Sequence, residues 1–180
     1  MLTDVSVVIR PAQAADVEAL ARLAALTFPL ACPPGSTAAD QQEFIDTVLS
    51  PERFTGYVAD PQRAVLVAEH EEALVGYTML VAGEPTDDDV RAALTITPTI
   101  ELSKCYVHPD HHGAGAASAL MAGSLDEGRG RGVAGMWLGV NQLNARARRF
   151  YERHGFTVVG TKHFQVGGRL EDDYVLERAL

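Results

Sequence analysis

Two glycine-punctuated segments, about thirty residues apart, restrict this chain more than any other feature. The first is Tyr106-Val107-His108-Pro109-Asp110-His111-His112-Gly113-Ala114-Gly115-Ala116-Ala117-Ser118-Ala119-Leu120-Met121. It reads as the end of a strand, a turn of small residues and the opening of a helix. Such a turn aims several backbone N–H groups at one point, which holds a pyrophosphate without a cationic side chain. The second is Asn144-Ala145-Arg146-Ala147-Arg148-Arg149-Phe150-Tyr151-Glu152-Arg153-His154-Gly155-Phe156. It reads as a helix with a tyrosine near its C-terminal end, closed by a glycine. Strands must therefore alternate with helices in this half of the chain.

The remaining pattern extends that alternation. Val5, Val7 and Ile9 open a strand that stops at Arg10-Pro11. Asp16 precedes Val17, Leu20, Leu23, Ala24 and Phe28, an apolar stripe at helical spacing, which Pro29 and then Pro33-Pro34-Gly35 are expected to break. A second helix starts near Ser36 or Thr37, carries Phe44, Ile45, Val48 and Leu49, and ends before Pro51. Residues 64–68 and 74–81 form a hairpin across Glu69-His70-Glu71-Glu72-Ala73. The segment from Gly83 to Pro98, with Glu84, Asp87, Asp88 and Asp89, is an acidic loop or short helix. A fourth strand runs from Thr99 to Val107, then a helix to about Arg129. A fifth strand spans Val133 to Val140, a helix Asn144 to His154, and a sixth strand Phe156 to Phe164. Gly167-Gly168 turns into a last strand ending near Glu177. This is an α/β (α+β) chain, one domain over residues 1–180, with a mixed sheet and helices on both faces.

Composition narrows the function classes. The net charge of −9 gives no basic surface for displacing counterions, which argues against nucleic acid as a partner. Acidity suits a cationic substrate and equally suits plain solubility. No apolar run approaches the roughly 18 residues a membrane helix needs. The N-terminus lacks the basic start of a signal peptide, and Cys32 and Cys105 stand far apart outside any paired motif. These point to the cytoplasm.

A dinucleotide fingerprint fits the glycine turn less well than a pyrophosphate cradle. It would need a third glycine where Ser118 stands, and an acidic residue at the end of the next strand. His108, His111 and His112 invite a metal, but they share one loop and lack a partner elsewhere in the sequence. No metal is expected. Tyr151 is either an apolar anchor, as Phe150 is, or a proton donor. Asn144 is a good N-cap. Cys105 lacks an evident histidine partner and suits a buried apolar position.

Together the two segments resemble the GNAT family of N-acetyltransferases, whose members move the acetyl group of acetyl-CoA to an amine. Its turn pattern begins here at His112, where the family usually has Arg or Gln, and continues through Gly115 and Ala117. The resemblance implies acetyl-CoA as co-substrate. The backbone of Gly113, Ala114, Gly115, Ala116 and Ala117 would hold its pyrophosphate, with His112 shaping the turn and Asn144 contacting CoA. Tyr151 would be the general acid toward the CoA sulfur. Glu101, on the fourth strand, would be the base that frees the amine's lone pair. By alternation Glu101, Ser103 and Cys105 share a face unless a bulge intervenes. The family likeness implies such a bulge, and a mostly antiparallel sheet of six or seven strands. It also implies a splayed fourth and fifth strand pair, so that pantetheine can pair with backbone near Tyr106 and Val107.

Segments 160–167 and 172–176, with Glu101-Leu102-Ser103-Lys104 and Trp137-Leu138-Gly139-Val140-Asn141, are similar to bacterial spermine/spermidine N-acetyltransferases. That branch implies a small-molecule amine as partner, a polyamine or another small cation, with Asp87-Asp88-Asp89 as its acidic attraction. A homodimer is compatible with this. Protein N-terminal or lysine acetylation, and a non-catalytic acetyl-CoA-binding module, stand beside it as alternatives; the module would need neither Tyr151 nor Glu101.

Overall fold

The computed structural model describes residues 6–180. The strands are β1 (Val8–Pro11), β2 (Arg63–His70), β3 (Ala73–Val81), β4 (Thr99–Val107), β5 (Gly135–Asn141), β6 (Thr157–Val166) and β7 (Arg169–Ala179). The helices are α1 (Val17–Ala31), α2 (Ala38–Val48), α3 (Pro51–Ala59), α4 (Asp88–Ala93), α5 (Ala116–Gly130) and α6 (Ala145–Arg153). All seven strands join one sheet in the order β1-β2-β3-β4-β5-β7-β6. Every pairing is antiparallel except β4 with β5. The expected mixed, mostly antiparallel sheet is what forms. Val5, placed in the first strand by its sequence, lies outside the described residues.

Strand alternation sorts the core into two sides. Val65, Val67, Tyr77 and Met79 pack with α1 and α3. Trp137 and Val175 lie on that same side beneath Val90 of α4. Leu66, Ala68 and Val75 turn the other way onto Ala116 and Leu120 of α5. Leu102, Met136 and Leu138 pack with Met121 and Leu125, and with Phe150 and Tyr151 of α6. Gly76 on β3 lets α5 come close, since a Cβ there would sit 2.9 Å from Leu120 Cδ1 and 3.0 Å from the Tyr106 carbonyl oxygen. A buried Thr78–Ser124 hydroxyl pair at 2.9 Å ties the same helix to the sheet.

Three local expectations change. α1 continues through Pro29 to Ala31, because Phe28 is buried and stacks on Phe44 at 4.4 Å, and that packing outweighs the lost amide. Pro51 opens a helix as well as following one: it is the first residue of α3, whose N-cap Ser50 accepts from Arg53 N. The hairpin tightens to a two-residue turn, Glu71-Glu72, with φ of +48° and +65°.

Candidate functional site

β4 and β5 pair only at Thr99–Gly135, Ile100–Met136 and Glu101–Trp137, then part. Beyond that point β4 stays bonded to β3 while β5 stays bonded to β7. The splay leaves one edge of residues 102–107 facing one edge of residues 138–141 with no strand between. A cleft of about 720 Å³ runs through this gap, from α1 on one side of the sheet to α6 on the other.

Beside the cleft, Gly115 is the N-cap of α5 with φ of +82°, and Gly113 has φ of +80°. Among the described residues, nothing lies within 4 Å of a Cβ built at either position. Glycine is therefore required there by backbone conformation and not by crowding within the protein. Among the described residues no side chain caps α5, so its first-turn N–H groups remain available at the cleft. Gly113, Gly115 and Ala117 line the cleft, whereas Ala116 is buried under the sheet and Ala114 is not in the lining.

His112 occupies the position of the usual Arg or Gln, and its ring bridges two elements. Nε2 lies 2.9 Å from the Val107 carbonyl oxygen, and Nδ1 lies 3.1 Å from Arg146 Nη2. With Nε2 donating and Nδ1 accepting, a neutral ring satisfies both contacts and pins the turn to the end of β4 and to α6. Asn144 is the N-cap of α6, accepting from Ala147 N at 3.1 Å, and it also lines the cleft.

Tyr151 sits on α6 with its ring 5.5 Å from Phe150 and 6.1 Å from Phe156. Its hydroxyl lies deep in the cleft against the Cys105 thiol. Burial pushes the phenol well above its ordinary range, keeping it protonated at neutral pH. Burial likewise pushes the Cys105 thiol up to about 12, which removes it as a nucleophile at neutral pH. The Tyr106 ring stacks on Tyr77 at 5.8 Å on the opposite side of the strand from Cys105.

The bulge that sequence alternation left open is present. Leu102 pairs with Leu80 and Lys104 with Met79, so Ser103 is the extra residue. Glu101 therefore shares its face with Lys104 and Tyr106, and Cys105 turns to the other. Burial raises the Glu101 pKa, with Lys104, Lys162 and Arg63 opposing the shift.

Glu101 lines the cleft, but the acidic run expected to attract a cation does not. Asp87 caps α4 by accepting from Asp89 N and Val90 N, and none of Asp87, Asp88 and Asp89 reaches the cleft lining. That correction follows from α4 packing over Trp137 and Val175, away from the splay. Instead Glu171 and Asp173 of β7 line it, at 8% and 5% exposure. Their signal was present as an i, i+2 pair in register with buried Val175.

This chain is similar to several N-acetyltransferases. The Acetyltransferase (GNAT) family matches residues 20–156. An uncharacterized N-acetyltransferase of Mycobacterium tuberculosis is 45% identical over 165 residues, covering 92% of this chain and 98% of the relative. The PaiA N-acetyltransferase of Thermoplasma acidophilum, solved in complex with coenzyme A, aligns with a TM-score of 0.77 at 18% identity over 97% of this chain and 99% of that one. A ribosomal-protein-alanine N-acetyltransferase from Brucella melitensis aligns with a TM-score of 0.65 at 25% identity, over 96% and 99% of the two chains. This chain belongs to the GNAT family and is an acetyl-CoA-dependent N-acetyltransferase. The residues present suit that co-substrate: an uncapped helix N-terminus for the pyrophosphate and an unpaired strand edge for the pantetheine amides.

Proposed function

We propose that this enzyme acetylates the primary amine of a small cationic acceptor in the cytoplasm, with polyamines as the leading class. Residues 1–180 act as one domain in this reading. The observation that carries it is a pair of unsatisfied acids. Glu171 Oε1 and Asp173 Oδ1 are buried and have no hydrogen-bond partner among the described residues. Arg169 Nε lies 3.4 Å from Glu171 Oε1 without bonding geometry, and Lys162 Nζ stands 3.9 Å from Asp173 Oδ2. Leaving such acceptors bare costs roughly 1–3 kcal/mol each. An ammonium brings three donors and a complementary charge, so a cationic ligand relieves that cost.

Acetyl-CoA supplies the thioester. The edges of Tyr106 and Val107 align its pantetheine, and the 113–117 turn holds its pyrophosphate. His112 fixes that turn and Asn144 adds a contact at α6. Glu101, its proton affinity raised by burial, removes a proton from the acceptor's ammonium. Tyr151, kept protonated by burial, donates to the departing sulfur.

The test is free-thiol release from acetyl-CoA against polyamines, amino acids and peptides with N-terminal alanine. Polyamine turnover with the lowest KM supports the reading. Turnover of the peptides with no polyamine acetylated would replace it with protein N-terminal acetylation; the Brucella protein is named a ribosomal-protein-alanine N-acetyltransferase.

A further inference from the structure

The chain has thirteen arginines and two lysines, Lys104 and Lys162, and both lysines line the cleft. Its side-chain amines are thus confined to the place where an acetyl donor binds. The two differ in how they are held. Lys162 Nζ donates to the His163 carbonyl at 3.0 Å, stands 3.9 Å from Asp173 Oδ2 and lies 5.4 Å above the Phe164 ring. Lys104 has no hydrogen bond or ion pair among the described residues. The Ser103 bulge sets it on the face of Glu101, in the stretch of β4 that has left β5. The charged groups that act on it are Glu101 on its own strand and Arg63 on β2, while Lys162, Glu171 and Asp173 line the same cleft. A half-buried cation without a partner is only partly hydrated, and its conversion to a neutral group relieves that cost.

We propose that Lys104 is a self-acetylation site, taking the acetyl group of acetyl-CoA bound in the same cleft when no acceptor is present. This rests on acetyl-CoA lying in the splay between β4 and β5. The neutral Nζ attacks the thioester carbonyl carbon, an N–C bond forms and the C–S bond breaks. The nitrogen's surplus proton passes to the Glu101 carboxylate, and the sulfur takes the Tyr151 hydroxyl proton. One acetyl-CoA and one lysine give one acetyl-lysine and one CoA thiol. Reactivity follows from the same burial, which lowers the Lys104 pKa from 10.5 to about 8, Glu101 opposing and Arg63 assisting. At pH 7 its neutral fraction then exceeds that of an ordinary lysine by about two orders of magnitude. The product is an uncharged amide, suited to the half-buried position the ammonium occupied.

The experiment is intact-mass analysis of the purified enzyme incubated with acetyl-CoA alone, with peptide mapping to locate the label. A parallel thermal shift reports whether acetyl-CoA is bound. The expected result is one acetyl group per chain, at least roughly tenfold enriched at Lys104 over Lys162 and the N-terminal amine. Its rate per molecule should not depend on enzyme concentration, should level off above about pH 8 and should fall with excess CoA. Lys104→Arg should keep the thermal shift and stay unlabelled. Bound acetyl-CoA with no mass gain overturns the proposal. So does label shared equally with Lys162, or label indifferent to CoA. Absence of the thermal shift overturns the placement of acetyl-CoA itself, and the proposal with it.

Discussion

Tyr151→Phe separates chemistry from packing at the cleft, because the structure assigns the ring and the hydroxyl different neighbours. The ring meets Phe150 and Phe156 edge-on, and phenylalanine keeps both contacts. The hydroxyl lies against the Cys105 thiol, a weak partner. Stability should therefore change by less than about 1 kcal/mol. Turnover should fall by about 10² to 10⁴-fold, the usual worth of a positioned acid, which corresponds to about 2.7–5.5 kcal/mol of barrier. The wild-type phenol is held protonated well above neutrality, so this loss should be constant from about pH 6 to 9. The assay is thiol release at saturating acetyl-CoA, alongside the acetyl-CoA thermal shift of each protein. A loss below roughly threefold, with an unchanged shift, would refute Tyr151 as the proton donor.

Other substitutions test the remaining parts. Glu101→Gln should cost most turnover at neutral pH and least at high pH, where the acceptor amine is already neutral; a uniform loss would assign Glu101 to positioning. Burial raises the Asp173 pKa to about 6, so its negative charge, and the affinity for a cationic acceptor, should grow as pH rises through that value. Asp173→Asn should flatten that dependence and raise the polyamine KM by roughly tenfold or more, and a KM unmoved at either pH removes Asp173 from the acceptor site. Replacing Asp87, Asp88 and Asp89 together by Asn should leave the acceptor KM unchanged, since Asn still caps α4 and none of the three lines the cleft; a raised KM would contradict that placement.

Much of the fold and part of the candidate site were legible because their signals are local. A positive-φ glycine before a small-residue helix, and an asparagine cap seven residues before a tyrosine, are written in short windows. The hairpin and the succession of strands along the chain followed from apolar runs and the polar residues between them. What was hidden depends on distant chain. Pro29 looks like a helix end until Phe44 arrives from α2 to hold Phe28. Ser103 becomes the extra residue of a bulge only against its β3 partners, and its presence exchanges Cys105 for Lys104 on the face of Glu101. Glu171 and Asp173 belong to the last strand of the chain. Pairing β7 between β5 and β6 is what buries them, and nothing local announces that order. The acidic run at 87–89 attracted attention by density of charge, whereas position decides which charges a ligand meets.

The proposed chemistry of the cleft requires acetyl-CoA to lie in the splay with its pyrophosphate on the uncapped end of α5. The melting temperature of wild type and Gly115→Glu, with and without acetyl-CoA, tests that placement most directly. At 100 times its dissociation constant a one-site ligand adds about 2.7 kcal/mol, worth roughly 5–11 °C for a chain of this size. The variant has room for its side chain within the free protein, though the left-handed backbone costs it about 1–2 kcal/mol. It should therefore fold with a modestly lower melting temperature and show no acetyl-CoA shift, because a carboxylate then stands where the pyrophosphate binds. A variant that folds and keeps the full wild-type shift would mean that the pyrophosphate binds elsewhere.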